Sequence, residues 1–359
     1  MMIAIILGTR PEIIKLSPVI RECQERHLNY FILHSGQHYS YELDSIFFKE
    51  LELPSAKYNL DIGSGTHAEQ TGNMLIGIER VLLQEKPDVV LVQGDTNTAL
   101  AGALAAAKLH IKVGHVEAGL RSYDRNMPEE INRILSDHLS DYLFVPTEKA
   151  RNILIGENIP EKNISLTGNT IVDAVYQNLE IAQGRNRLIS ELGLHTRGYF
   201  LVTTHRPENV DVVDRLRGIL EGLSMVYREF HIPLLYPIHP RTQKRIDEFQ
   251  LAIPEGMKII QPTGFLDFLI MEANAKVVLT DSGGVQEETC ILKVPCVTLR
   301  DNTERPETLE VGSNVLAGTN PQRILDSVAM SVLKERNWSN PFGDGKAATR
   351  IVGLIRKYE

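Results

Sequence analysis

Short runs of apolar residues alternate along this chain with longer segments whose apolar positions recur at helical spacing. The runs are IAIILG, YFILHSG, DVVLVQGD, KVGHVEA, YLFVPT and ISLTGN in the first half, and YFLVTTHR, LLYPIHP, MKIIQP, AKVVLTD and PCVTLRD in the second. Strands that are apolar throughout are buried on both faces, and their alternation with helices predicts parallel sheets flanked by helices. After GNTIVDAVYQNLEIA, the polar stretch QGRNRLISELGLHTRGY leads into a new first strand. The pattern predicts an α/β chain of two doubly wound, Rossmann-like domains facing a cleft, with boundaries at 1–170 and 171–343. The 359 residues suffice for two domains of ordinary size, each with its own core.

Composition narrows the partners. The formal net charge of −8 argues against a general nucleic-acid or anionic-membrane surface, so any anion is expected to be bound locally. Cys23, Cys290 and Cys296 are few, odd in number and in no CxxC, which suggests neither a disulfide framework nor a zinc ribbon and suits a reducing cytoplasm. The opening MMIAIILG lacks a basic flank and a cleavage site, and TALAGALAAAKLH is too short to span a bilayer. The first reads as a buried strand, the second as a core helix.

Residues able to do chemistry gather where the strands end. Asp95 lies in VQGDTNT, Glu117 in GHVEAGLRS, and Glu129 and Arg133 open a helix in MPEEINR. His205 ends YFLVTTH, His239 ends LLYPIH, and TDSGGVQEE follows AKVVL. Open α/β sheets bind ligands at the carboxyl ends of their strands. Structural alternatives exist: Asp95 as an N-cap for TALAGALAAAK, Glu129 as a first-turn acid after Pro128, and His115 or His205 as satisfied core histidines. Glu117 resists such a reading, because a carboxylate ending an apolar strand is costly to bury unless it is paired or used.

Three similar words recur: GTRPE at 8–12, THRPE at 204–208 and TERPE at 303–307. Proline suits the first helical position and glutamate the first turn, so each reads as a helix start that leaves Arg10, Arg206 or Arg305 at a strand end. In TDSGGVQEE, Ser282 is a plausible N-cap, but Gly283 and Gly284 each cost up to about 1 kcal/mol relative to alanine inside a helix. Glycines let a ligand approach the backbone, and free N–H groups at a helix start bind anions. Arginines and such N–H groups hold a diphosphate, carboxylates and imidazole move protons, and Glu288 suits the ribose hydroxyls of a nucleoside. No HExxH, CxxC or DxDxDG calls for a metal, and neither GxGxxG nor GKT/GKS supports NAD or P-loop chemistry, so no cofactor is expected.

Together GTRPE, QGDTNT, GHVEAGLRS, PEEINR, LTGNTIVDA, THRPEN, TDSGGVQEE and LRDNTERPE resemble the non-hydrolysing UDP-N-acetylglucosamine 2-epimerases, in unbroken order from the first strand to about residue 320. The resemblance implies the two-domain glycosyltransferase B architecture, with the last helix, in 344–359, packing back on the first domain. It implies catalytic roles for Asp95, Glu117, Glu129 and His205. Arg10, Lys15, Phe268, Ser282, Glu288 and Arg305 would bind substrate, joined on the reading of the residues themselves by Arg133, Gly283 and Gly284. It further implies an isomerase that interconverts UDP-GlcNAc and UDP-ManNAc by eliminating UDP to 2-acetamidoglucal and adding it back, and a homodimer. A UDP-sugar glycosyltransferase, a hydrolysing epimerase and a non-catalytic nucleotide-sugar sensor are the alternatives.

Several bacterial relatives need a second UDP-GlcNAc as an activator, held by a GQH turn and an arginine–glutamine pair. The turn is present here as Gly36, Gln37 and His38, whereas the pair's positions fall on Ser64 and Gly65. Activation through Gln37 and His38 is therefore expected to survive but to require more effector.

Overall fold

The computed structural model describes residues 1–37, 41–182, 184 and 187–357. It divides into two compact units, Met1–Gln177 with Phe342–Glu359, and Asn178–Pro341. The division falls inside one helix, Thr170–Ala182. The first unit keeps that helix as far as Gln177, beyond residue 170, because Asp173 accepts hydrogen bonds from the backbone N–H groups of Ala347 (3.2 Å) and Ala348 (2.9 Å). A carboxylate there satisfies the orphan donors at the start of the C-terminal helix, Ala347–Lys357. Thr349 adds a 3.0 Å bond to Glu22 on the helix Arg10–Glu25, so the chain end returns to the first unit.

The first unit's strands are β1 (Met2–Leu7), β2 (Asn29–His34), β3 (Tyr58–Asn59), β4 (Val89–Gln93), β5 (Lys112–Val116), β6 (Tyr142–Val145) and β7 (Ile164–Leu166). They form one sheet in the order β3-β2-β1-β4-β5-β6-β7, every pair parallel. The second unit has β8 (Phe200–Thr203), β9 (Leu234–Pro237), β10 (Met257–Ile260), β11 (Val277–Thr280), β12 (Cys296–Thr298) and β13 (Asn314–Leu316) in the order β10-β9-β8-β11-β12-β13, again parallel. The apolar runs account for every strand except β3 and β13. Those are edge strands of two and three residues, too short to show a period.

Each core lies between a sheet and its helices: Ile6, Leu33, Val90 and Val92 against Ile78 and Leu82 in the first unit, Phe200, Val202 and Leu279 against Leu220, Leu223 and Val328 in the second. The alanine-rich helix Asn97–Lys108 lies close on its sheet; a Cβ on Gly102 would meet Val92 Cγ1 at 2.9 Å. Both sheets change winding direction once, between β1 and β4 and between β8 and β11, and these switch points are where doubly wound folds bind ligands.

Candidate functional site

At the first unit's switch point, the loops after β1 and β4 are joined by Glu12, the glutamate of GTRPE. Its carboxyl accepts from Gly8 N (3.0 Å), Thr9 Oγ1 (2.8 Å) and Thr96 Oγ1 (2.7 Å). Burial pushes its pKa up to about 7, against the lowering effect of these bonds. Its counterpart Glu208 is exposed, so the echo between GTRPE and THRPE sets helix starts but not the fate of the acid. A Cβ on Gly8 would fall 1.9 Å from Ser35 Oγ, so packing alone demands that glycine. Thr96, rather than Asp95, caps the helix Asn97–Lys108 by accepting from Ala99 N at 3.0 Å. The cap reading of Asp95 is thereby corrected: its side chain is available for other work.

That side chain pairs with Arg133, whose other guanidinium nitrogen lies 2.9 Å from Glu130. Of the two adjacent acids in PEE, Glu130 is buried and accepts from Ser122 N and Oγ and from Tyr123 N, while Glu129 is exposed at the start of the helix Pro128–Leu139. Glu117, just beyond β5, forms a second cluster. Lys15 Nζ lies 2.6 Å from its Oε2, and Gln93 Nε2 donates to the same oxygen at 2.5 Å. Glu117 has φ +67°, a left-handed conformation that costs a non-glycine residue of order 1–3 kcal/mol and is concentrated at functional sites. Arg10 places its guanidinium 5.8 Å from the Phe47 ring.

In the second unit the switch-point acid is Asp281, fully buried at the end of β11. It accepts from His205 N (3.1 Å), Arg206 N (3.0 Å) and Asn209 Nδ2 (3.1 Å), and His205 Nδ1 lies 3.3 Å away. Burial raises the Asp281 pKa, but these donors, His205 first, hold it below its ordinary value. The helix Gly283–Ile291 starts next. Ser282 occupies the N-cap position, yet its hydroxyl accepts no bond from the helix. A Cβ on Gly283 would meet only Glu304 Oε2 at 3.8 Å, and one on Gly284 only Ser282 Oγ at 3.9 Å, so the fold does not require either glycine.

Both acids of QEE lie beyond the first turn and are buried. Glu287 pairs with Arg305 Nε at 2.7 Å. Glu272 lies fully buried near Glu288, and burial, with the Glu288 charge after it, pushes the Glu272 pKa well above its ordinary value. Phe268 is half-buried on the helix Phe265–Asn274. Arg300, which the sequence reading passed over, grips Glu304 with two 2.8 Å bonds, and that fork holds the Glu304 pKa down to about 2. Only its position after an apolar run, as in LRD, marked it beforehand.

Gln37 is buried, and its amide oxygen accepts from Thr98 N and Oγ1 at 3.2 and 2.8 Å. His38 lies outside the described residues. Ser64 and Gly65 are exposed ahead of a capping box in which Thr66 and Glu69 bond reciprocally. Among the described residues no group of three His, Cys, Asp or Glu is placed to hold a metal, and no helix is long and apolar enough to cross a membrane.

Two doubly wound units, a glycine-rich helix start beside arginines in one and clustered carboxylates at the sheet's carboxyl edge in the other, define a nucleotide-sugar enzyme class. The chain belongs to the UDP-N-acetylglucosamine 2-epimerase family, whose model matches residues 21–356. It is 58% identical over 361 residues to the UDP-N-acetylglucosamine 2-epimerase of Methanocaldococcus jannaschii, covering 99% of both chains. It is 42% identical over 362 residues to a Pseudomonas aeruginosa UDP-2,3-diacetamido-2,3-dideoxy-D-glucuronate 2-epimerase, covering 99% of this chain and 100% of that one. The crystal structure of the M. jannaschii epimerase in complex with UDP-GlcNAc and UDP superposes with a TM-score of 0.89, covering 99% of this chain and 100% of that chain.

Proposed function

We propose that this protein is an isomerase that interconverts UDP-GlcNAc and UDP-ManNAc by inversion at C2. The observation that carries this reading is the likeness to the M. jannaschii epimerase, 58% identical over essentially the whole chain and crystallised with UDP-GlcNAc and UDP. The site chemistry agrees. The C2 hydrogen of UDP-GlcNAc is not adjacent to a carbonyl, so a carboxylate cannot simply abstract it. Elimination solves the problem. As a base takes the C2 proton, the C1–O bond breaks, its electron pair leaves with UDP, and a C1–C2 double bond forms in 2-acetamidoglucal. Re-addition of UDP oxygen to C1, with proton delivery to the opposite face of C2, gives UDP-ManNAc.

This needs proton-transfer groups and a stabiliser for departing diphosphate. Asp95, Glu117 and Glu129 with His205 supply the first. Ser282, Gly283 and Gly284, with Arg10 and Arg305, supply the second through backbone N–H groups and positive charge. Lys15 and Arg133 set the charge around Glu117 and Asp95, Phe268 offers an apolar face to the uracil, and Glu288 accepts from the ribose hydroxyls. A homodimer is proposed on the exposed apolar side chains Ile76, Leu83, Ile131 and Leu135, on the two helices flanking Asn97–Lys108. The three buried, free cysteines suit the cytoplasm.

Incubation with UDP-GlcNAc alone tests the reading. UDP-ManNAc should accumulate to equilibrium, and in heavy water it should carry deuterium at C2. Dependence on an acceptor would indicate a transferase, release of free ManNAc a hydrolase, and no product a sensor. Retention of the original C2 hydrogen would exclude the elimination route.

A further inference from the structure

Behind the two carboxylate clusters of the first unit lies a buried charged group that the proposed chemistry does not use. His115, on β5, is fully buried with both ring nitrogens facing acceptors: Nδ1 is 2.7 Å from Asp137 Oδ1 and Nε2 is 2.8 Å from the Gly94 carbonyl oxygen. Neither partner is a donor, so both nitrogens carry hydrogen and the ring is an imidazolium. Asp137, on the helix Pro128–Leu139, also accepts from Gly119 N (3.3 and 3.2 Å) and from Arg121 Nη1 (2.7 Å), and Arg121 in turn holds Glu157 at 2.6 Å. Burial disfavours charge on His115, but the Asp137 carboxylate outweighs it, with help from Gly94 and Glu117, and keeps the ring's pKa above its ordinary value.

The two backbone atoms in this network are the notable ones. Gly94 immediately precedes Asp95 and has φ +69°; Gly119 follows Glu117 by two residues and has φ +82°. One end of the network therefore grips the loop that presents Asp95, and the other grips the turn that holds Glu117 at φ +67°. A histidine that only filled the core would need no pair of acceptors, since an apolar ring of similar size would pack at less cost. We infer that His115 and Asp137 are positioning residues, a buried imidazolium–carboxylate clamp that sets the loops of Asp95 and Glu117 relative to each other. The inference rests on the proposed epimerase reading, in which those two acids move the C2 proton.

Two polar replacements separate positioning from packing. In His115→Gln the amide N–H reaches where Nε2 stood and keeps the bond to Gly94 O. In His115→Asn it sits where Nδ1 stood and keeps only the bond to Asp137. Both are assayed as full-length protein, with kcat, KM, UDP affinity by calorimetry, and free UDP released per sugar epimerised. His115→Asn should lose about 10- to 100-fold in kcat, because displaced catalytic groups cost that much. Its KM and UDP affinity should hold, and it should leak UDP as the glycal escapes before reprotonation. His115→Gln, which releases Asp137 instead of Gly94, should show a loss and a leak of the same order, because either variant opens the clamp at one end. Wild-type kcat per UDP-binding site in either variant, or lowered melting temperatures with no UDP leak, would overturn the inference. Absence of any UDP-ManNAc from the wild-type protein would instead sink the epimerase reading itself.

Discussion

Lys15 Nζ stands 2.6 and 2.8 Å from the two carboxylate oxygens of Glu117, a residue 102 positions away in the chain. Their side chains are 13% and 4% exposed, so this is an ion pair largely removed from water. Breaking such a pair from one side strands a buried charge. Lys15→Met should therefore lower the unfolding free energy by about 3–5 kcal/mol, and Glu117→Gln by less, because the more exposed lysine is the partner left behind. Urea denaturation of the two variants checks the asymmetry; equal losses would contradict it.

Substitution of the acids should remove chemistry rather than nucleotide binding. Asp95→Asn, Glu117→Gln and Glu129→Gln are each expected to reduce kcat by about 10²–10⁴-fold, the usual scale for loss of a general acid or base. UDP affinity measured by calorimetry should stay near the wild-type value. Loss of UDP binding with turnover retained would reassign these residues.

Gly283 offers a case in which stability and affinity should move in opposite directions. A Cβ there meets nothing closer than 3.8 Å, and Gly283 is not among the residues with positive φ. Gly283→Ala should therefore stabilise the protein by up to about 1 kcal/mol, less if the first turn frays, by restricting the unfolded chain. The same methyl group, and more so the branched chain in Gly283→Val, would stand between phosphate and the helix start, weakening UDP binding. Wild-type UDP affinity in Gly283→Val would return the two glycines to an ordinary turn.

Glu12 predicts a pH effect. Its pKa is raised from the ordinary 4.5 to about 7 in the folded chain, so between those values the native state holds a proton that the unfolded state has lost. The resulting stability is fully present below pH 4.5 and is lost as pH rises through about 7, a change on the order of 3 kcal/mol. Glu12→Gln should flatten that segment of the stability curve. Urea midpoints of both proteins at pH 5 and pH 8 measure the difference, and an unchanged slope would show that Glu12 does not titrate there.

Effector dependence is tested from the UDP-ManNAc side. With Ser64 and Gly65 in place of an arginine–glutamine pair, a second UDP-GlcNAc loses charge-assisted bonds worth about 1.5–3 kcal/mol, or one to two decades of affinity. The reverse reaction should show a lag that trace UDP-GlcNAc removes only at correspondingly higher concentration. Full initial velocity without added UDP-GlcNAc would mean that no such activation operates in this protein.

The sequence by itself determined the two parallel, doubly wound sheets, the strand ends where Asp95, Glu117, His205 and Ser282 stand, and the first helical turns that hold Pro11, Pro128, Pro207 and Pro306. These are local matters: an apolar run is buried on both faces, and a proline suits the first turn of a helix, whatever lies far away. Tertiary structure alone decided which of two neighbouring like residues does which task. Glu130 is buried under Ser122 and Tyr123 while Glu129 is exposed; Glu287 holds Arg305 while Glu288 meets Glu272; and Glu12 is buried where Glu208 is not. It alone joined His115 to Asp137 and to Gly94, whereas the Thr96 cap in place of Asp95 is a local bond to Ala99 N, three residues on. Adjacent acids have the same intrinsic chemistry, and what separates them is the burial and the partner that the folded chain brings, from 7 positions away for Glu130 and Tyr123 to 84 for Glu12 and Thr96.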